Sequence, residues 1–367
     1  MALRLGVSAW DRHNAQPDAS TEKVILVAAP LQRDRLARLV GRFAGKRVLV
    51  VGDMVADEYI LGAPSRISRE APVLVLGQRD AFTVPGGATN PGVNARTLGA
   101  EVYLSGVIGD DASGRRLLDK LHIYGAHTEG LLCAPGRPTS TKTRIIAGDR
   151  QLRQQQIVRI DLVSDDELGD AVTQRMRAYI SETLPQVDAV ILSDYENGVI
   201  SPAIIGTVLP LARELKKIVA VDSHGNLARF RGVTALTPNQ PEAEATLGAS
   251  VTDIQSLEHA GERLLEMTDS QGVLITRGSE GMSLFERGRA PMHVPVSNLT
   301  RVTEIFDPTG AGDTVAATFT LALTAGAEMA DAAVLANIAA GLVVRRLGCA
   351  TNTPEELLAA IEATAAE

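Results

Sequence analysis

Short apolar runs rich in β-branched residues recur along this chain, most of them separated by stretches of helical spacing, and that alternation narrows the possible folds more than any other feature. The runs fall at residues 46–51 (KRVLVV), 188–192, 218–221, 233–236 and 273–276, with helical stretches such as 165–180 and 202–215. A strand covered on both faces reads as a continuous apolar run, and a strand–helix–strand order closes most readily into parallel sheet with helices on its faces. The expected fold class is therefore α/β, with a mostly parallel central sheet flanked by helices and ligands bound beyond the carboxyl ends of the strands. Two regions break the pattern. Residues 71–78 (APVLVLGQ), and 139–146 (TSTKTRII) with 155–160 (QQIVRI), look extended but lack crossover helices, which predicts a small β-sheet lid with strands near 57–80 and 138–160. Residues 31–43 carry helical spacing and predict a leader helix before the first strand. Residues 1–30 are expected to form a flexible N-terminal segment, since 11–22 are polar and aperiodic.

The segment Asp307-Pro308-Thr309-Gly310-Ala311-Gly312-Asp313-Thr314 precedes strongly helical, apolar stretches at 314–323 and 330–347. Gly310, Ala311 and Gly312 are thus expected where a helix begins, with unpaired backbone N–H groups and the positive helix end facing an anion. Asp313 beside that anion could accept the proton of an attacking hydroxyl, as phosphoryl transfer requires. The plain alternative is a glycine turn with Asp313 as a first-turn acid. The length of the D-x-T-G-A-G-D pattern before such a helix favours the chemical reading.

Composition excludes several classes. Lys+Arg 36 against Asp+Glu 44 gives a net charge of −8, which argues against nucleic acid as a partner. Cys133 and Cys349 are the only cysteines, so no disulfide framework is expected. No apolar run reaches membrane-spanning length and the N-terminus lacks a signal-peptide core, so a cytoplasmic protein with no membrane contact is expected. None of the six histidines forms a spaced pair with partners that would suggest zinc. Met54, Met282 and Trp10 read as packing or tail residues.

Other residues have readings of their own. Asp57 should lie just past the first strand, where a carboxylate can take hydrogen bonds from ligand hydroxyls. Gly86-Gly87 lets backbone approach a ligand, and Asn90 followed by Pro91 fits an N-cap with proline at the first helical position. Asn239 and Glu242 follow a strand and can face one spot on an incipient helix, with capping as the alternative for Asn239. Lys142 and Arg144 alternate with Thr141 and Thr143 on a predicted lid strand, which places both cations on one face. They could hold a phosphate on the substrate, with Arg66 as a third candidate, or they could simply protect a solvated strand edge.

Taken together, Gly52-Asp53-Met54-Val55-Ala56-Asp57, Ser65-Arg66-Ile67-Ser68-Arg69-Glu70-Ala71-Pro72-Val73, Pro85-Gly86-Gly87-Ala88-Thr89-Asn90, Ser193-Asp194-Tyr195, Thr237-Pro238-Asn239-Gln240-Pro241-Glu242, Thr276-Arg277-Gly278 and the GAGD segment resemble the PfkB-type, ribokinase-like carbohydrate kinases. The likeness spans about residues 46–356, and the R-I-S-x-E-A-P-V run is most similar to the branch acting on D-glycero-D-manno-heptose 7-phosphate in ADP-heptose synthesis. The resemblance implies a ribokinase-like kinase domain over 31–367, ATP and Mg²⁺, and transfer to O1 of that heptose phosphate. It gives Asn90 a sugar contact, Asn239 and Glu242 the ordering of Mg²⁺ through water, Thr276 and Gly278 the nucleotide side, and Asn337 a place near the base. Asp307 is the carboxylate nearest an implied K⁺ site. Related kinases often carry a fused nucleotidyltransferase, and this chain, ending soon after the GAGD helices, is expected to supply the kinase step alone. Asn-Pro-Gly at 90–92 departs from the small or apolar residues of the heptose branch. Another PfkB-type kinase, for a ketohexose phosphate, another sugar or a nucleoside, and a non-catalytic sugar-binding regulator stay open as alternatives. Val73 and Val75 on the lid make a homodimer an expectation.

Overall fold

The computed structural model describes residues 30–148, 155–296 and 307–363. Residues 1–29, with Trp10 and nearly all of the expected N-terminal segment, lie outside the described residues. Helix α1 (Pro30–Val40) leads into β1 (Arg47–Gly52), followed by the long antiparallel pair β2 (Met54–Ile67) and β3 (Leu74–Gly87). Next come α2 (Thr89–Thr97), β4 (Glu101–Ile108), α3 (Ala112–Tyr124), β5 (His127–Cys133), β6 (Ser140–Ala147), β7 (Gln155–Leu162) and α4 (Asp170–Thr183). The chain continues through β8 (Ala189–Asp194), α5 (Pro202–Glu214), β9 (Ile218–Ser223), β10 (Ala235–Leu236), α6 (Gln240–Leu247), α7 (Ile254–Thr268) and β11 (Gly272–Thr276). It closes with β12 (Met282–Glu286), β13 (Met292–Val294), α8 (Ala311–Thr324), α9 (Met329–Val343) and α10 (Pro354–Ala363).

Nine strands form one sheet in the order β13-β12-β11-β10-β9-β8-β1-β4-β5. Pairing is parallel from β5 to β11 and antiparallel only at the β11–β12–β13 edge. In β1 the side chains alternate between two cores. Val48 and Val50 pack with α8 and α9 residues such as Phe319 and Leu335, while Leu49 and Val51 pack with α4 and α5 residues such as Ile180 and Ile204. Strand order reverses between β1 and β8, since the chain builds outward to β4 and β5 and then returns to the other side. Such a switch point leaves a crevice at the carboxyl ends of the strands.

A second, four-stranded sheet runs β3-β2-β6-β7, as the two extended regions predicted. β2 was not legible as a strand over its full length. Asp57, Glu58, Gly62, Pro64, Ser65 and Arg66 blur its alternation, and it is held by β3 on one side and β6 on the other. β4, β5, β12 and β13 also lie outside the sequence reading. One local expectation is corrected: α2 begins at Thr89 with Ala88 as N-cap, so Asn90 and Pro91 are inside its first turn and Asn90 caps nothing. Helix α9 ends at Val343, short of residue 347, before the left-handed Gly348. No helix among the described residues is long and apolar enough to cross a membrane.

Candidate active site

The switch point is where the GAGD segment arrives. Gly310 takes φ +80 and starts α8, so Asp313 falls in the helix's first turn and is buried. A Cβ at Gly310 would sit 2.5 Å from Asn90 Nδ2, so backbone freedom and close approach both require glycine there. The Ala311 amide donates to Pro308 O and the Thr314 amide to Gly310 O. Among the described residues, the amides of Gly312 and Asp313 are the first-turn donors left without a backbone carbonyl. Gly312 is exposed and a Cβ on it would meet nothing within 4 Å, so the space before this helix end is open. Open donors on a positive helix terminus suit an anionic phosphoryl group.

Both oxygens of Asp313 are held. Asn90 Nδ2 donates to Oδ2 at 2.6 Å and the Tyr195 hydroxyl donates to Oδ1 at 3.0 Å. Asn90 is itself fixed, its Oδ1 and backbone carbonyl taking the Asn94 amide, whose own Oδ1 accepts from Thr314 on α8. Burial pushes the Asp313 carboxyl up to about 6, against the two hydrogen bonds and the His224 charge, which favour its ionised form. A carboxylate poised in that range can take a proton at neutral pH.

Facing it from the second sheet, Asp57 is 3 % exposed and accepts from Arg144 Nη1 at 2.8 Å and from Cys349 Sγ at 3.2 Å. Gly86 on β3 gives Asp57 its room, since a Cβ there would lie 2.6 Å from Oδ2, and Gly87 follows at the strand's end. Arg144 lies over the Tyr59 ring, 5.4 Å from its centre, and is buried, so its charge is committed to Asp57. Lys142, two residues earlier, keeps its ammonium 4.7 Å above the Tyr195 ring and has no ion pair among the described residues. Arg66 is exposed near the far end of β2, nine residues beyond Asp57, on the order of 30 Å along the strand. The chain does not bring Arg66 to this crevice.

Asn239 and Glu242 meet at the start of α6 as a reciprocal capping box: the Glu242 amide donates to Asn239 Oδ1, and the Asn239 amide to Glu242 Oε2 at 2.8 Å. The capping alternative is thus realised, and Glu242 Oε1 also takes the Asn239 side chain and His224 Nδ1. Thr276 is beside them, bridged to Asn239, with exposed Gly278 just beyond. Asn337 is buried on α9 and donates to Pro295 O at 2.7 Å. Asp307 spans a turn, accepting the Thr309 amide on one oxygen and the Gly348 amide on the other. Among the described residues no group of three or more His, Cys, Asp and Glu side chains is set to hold a metal directly. Magnesium ordered by Glu242 and Asn239 through water fits that donor set, because the ion keeps much of its hydration.

Sequence reasoning missed several residues. Tyr195 stood in a matched run with no role, and Cys349 entered only as one of two cysteines too few for a disulfide framework. Asp53 is buried and accepts the amides of Tyr195, Asn197 and Val199. Asp222 and His224 close the crevice from the end of β9. Burial pushes Asp222 up to about 8, with the Asp313 charge adding to it. Partial burial alone would lower His224, but the Glu242 carboxylate and the Asp222 charge lift it above its ordinary value. Asp53, like Tyr195, stood in a matched run with no role, and the signal for Asp222 and His224 was their position at the end of a strand.

A parallel sheet with a carboxylate under a helix N-terminus at its switch point, faced by a small second sheet, is the ribokinase-like architecture. It aligns with Arabidopsis thaliana ribokinase complexed with ribose and ATP at TM-score 0.67 and 20 % identity, covering 87 % of this chain and 99 % of that one. With Escherichia coli phosphofructokinase-2 in complex with fructose-6-phosphate the values are 0.69 and 15 %, covering 88 % and 99 %. The chain belongs to the pfkB family of carbohydrate kinases, which it matches over residues 46–356. It is 41 % identical over 329 residues to the bifunctional protein HldE of Geobacter metallireducens, covering 89 % of this chain and 65 % of that protein. It is 40 % identical over 328 residues to the bifunctional protein HldE of Caulobacter vibrioides, covering 89 % and 65 %. The chain thus spans about two thirds of the length of these curated relatives.

Proposed function

We propose that this chain transfers the γ-phosphoryl group of ATP to O1 of D-glycero-β-D-manno-heptose 7-phosphate, giving the 1,7-bisphosphate and ADP. The observation that carries the chemistry is Asp313, buried in the first turn of α8 beside open amide donors, with both oxygens held and its carboxyl pushed up to about 6. In this reading the sugar hydroxyl attacks phosphorus, the bond to the bridging oxygen of ADP breaks, and the hydroxyl proton passes to Asp313. Gly312 and Asp313 amides meet the charge on the transferring group. Asp57, held by Arg144, receives sugar hydroxyls with Asn90 nearby, and Lys142, which has no ion pair among the described residues, is proposed for the distal phosphate. Thr276, Gly278 and Asn337 are proposed for the nucleotide. Magnesium bound with ATP would neutralise phosphate charge, its water shell ordered by Glu242 and Asn239.

The choice of heptose rests on the R-I-S-x-E-A-P-V run and on relatives named HldE at about 40 % identity over about 90 % of the chain. Asp307 is proposed near a monovalent cation, which a rate comparison in K⁺ and Na⁺ checks. The cytoplasm, where ATP is made, is the proposed compartment. A homodimer through the second sheet is proposed because Ile67, Ile160 and Leu162 on its strands are each at least half exposed, as is Val73 just before β3.

The deciding test measures ADP release over a panel of heptose 7-phosphate, free heptose, fructose 6-phosphate, ribose and a nucleoside. Preference for heptose 7-phosphate supports the proposal. Preference for another acceptor reassigns the substrate within the family, and no ADP release with any acceptor favours a non-catalytic sugar binder.

A further inference from the structure

Tyr195 carries none of the substrate, nucleotide or metal roles above, yet its phenol touches the reacting carboxylate. It follows β8 at the switch point, and its backbone is pinned there, because the Tyr195 and Asn197 amides donate to Asp53 Oδ2 at 2.7 and 3.2 Å. The Val199 amide donates to Asp53 Oδ1 at 3.2 Å. The ring meets His224 edge-on at 4.4 Å, and Lys142 of β6 covers it. With backbone and ring fixed in this way, the hydroxyl has one direction left to point, toward Asp313 Oδ1.

We propose that Tyr195 is a positioning residue of the reaction: its hydroxyl holds Asp313 ionised and turned toward the acceptor. This rests on reading Asp313 as the base. Each carboxylate oxygen offers two lone-pair sites, of which Asn90 takes one on Oδ2 and Tyr195 one on Oδ1. The lone pairs that stay free are those a hydroxyl can use. Burial, with the charges of Asp313 and Asp222, keeps the Tyr195 phenol protonated, so it donates. The other groups bearing on Asp313 are Asp57 from β2, Asp222 and His224 from the end of β9, and Cys349 beyond α9. Asp57 and Asp222 oppose its ionisation and the His224 cation favours it, so the Tyr195 and Asn90 hydrogen bonds counter the carboxylates and the burial.

The experiment follows kcat/KM against pH, from 5 to 9, with the best acceptor of the panel and saturating MgATP. Tyr195→Phe should move the acid limb up by about one pH unit, the loss expected for a hydrogen bond to a charged acceptor. Above pH 8 its rate should return to within about threefold of wild type, which a general packing defect would not allow. Placing 3-fluorotyrosine at position 195, a stronger donor of the same shape, should move the limb the other way and serves should the phenylalanine variant fold poorly. An unmoved limb in both, or a loss equal at every pH, overturns the inference. Asp313→Asn at near wild-type rate removes the base reading and this inference with it. An inactive Asp313→Asn beside unmoved limbs overturns the Tyr195 inference alone.

Discussion

Asn90 and Asp313 stand 223 residues apart in sequence and 2.6 Å apart in space, the side-chain amide of one donating to the carboxylate of the other. That bond joins the start of α2, just after β3, to the first turn of α8. It forms with α2 starting at Thr89, so that Asn90 lies in the helix's first turn with its Nδ2 against Asp313.

Asp313→Asn should lower turnover by roughly 10² to 10⁴-fold with nucleotide affinity retained, read by steady-state kinetics and calorimetric ATP titration. The same change should stabilise the fold at neutral pH. A buried acid whose pKa rises from 3.8 to about 6 binds its proton more tightly folded than unfolded, so its cost is absent below 3.8, grows between the two values and is complete above 6. Removing the charge should raise stability by on the order of 1–3 kcal/mol at pH 7.5, a gain that shrinks toward pH 4 in thermal melts.

For wild type, kcat/KM should rise with pH through an apparent value near 6, since only the ionised Asp313 accepts a proton. A profile flat from pH 5 to 8 would exclude a base with this pKa.

Lys142 and Arg144 share a strand face but should respond differently to truncation. Arg144→Ala strands the buried Asp57 charge and should cost about 3–5 kcal/mol of stability in denaturant titration. Lys142→Ala should leave stability within about 0.5 kcal/mol, as for a partly exposed side chain. It should raise KM for the phosphorylated acceptor by the equivalent of about 1.5–3 kcal/mol, with KM for ATP unchanged. An equal rise for phosphorylated and free sugar would remove Lys142 from the phosphate contact.

Gly310→Ala and Gly312→Ala form a contrasting pair. At Gly310 the left-handed φ of +80 and the contact with Asn90 should cost at least about 1 kcal/mol and displace the Asn90 amide, lowering both Tm and turnover. At Gly312 the methyl meets no protein atom within 4 Å, so Tm should hold or rise while turnover falls from the occupied phosphoryl space.

Should the second sheet pair two chains, wild type will elute at twice the chain mass in light-scattering chromatography. Ile160→Asp, at a position 56 % exposed in the single chain, should return it to monomer.

The β-branched runs determined the parallel sheet, because a strand buried on both faces has no choice but to be apolar throughout. The glycines and Asp313 determined a helix start with open amides, because left-handed backbone and a helix's first turn are local properties that short motifs encode. β2 was legible only in part: lid strands were expected near 57–80, but Asp57 and Glu58 interrupt the alternation and pairing with β3 and β6 makes one strand of Met54–Ile67. Pairings across the fold were hidden. Register sets Lys142 beside Asp57 and Arg144 beside Tyr59, yet Arg144 reaches diagonally to Asp57 while Lys142 turns to the Tyr195 ring, a choice made by tertiary neighbours. The raised acidity range of Asp313 and the reach of the Tyr195 hydroxyl depend on burial and on neighbours from five separate segments. Charge, backbone freedom and periodicity are written residue by residue, whereas desolvation and side-chain partnership exist only once distant segments are brought to one crevice.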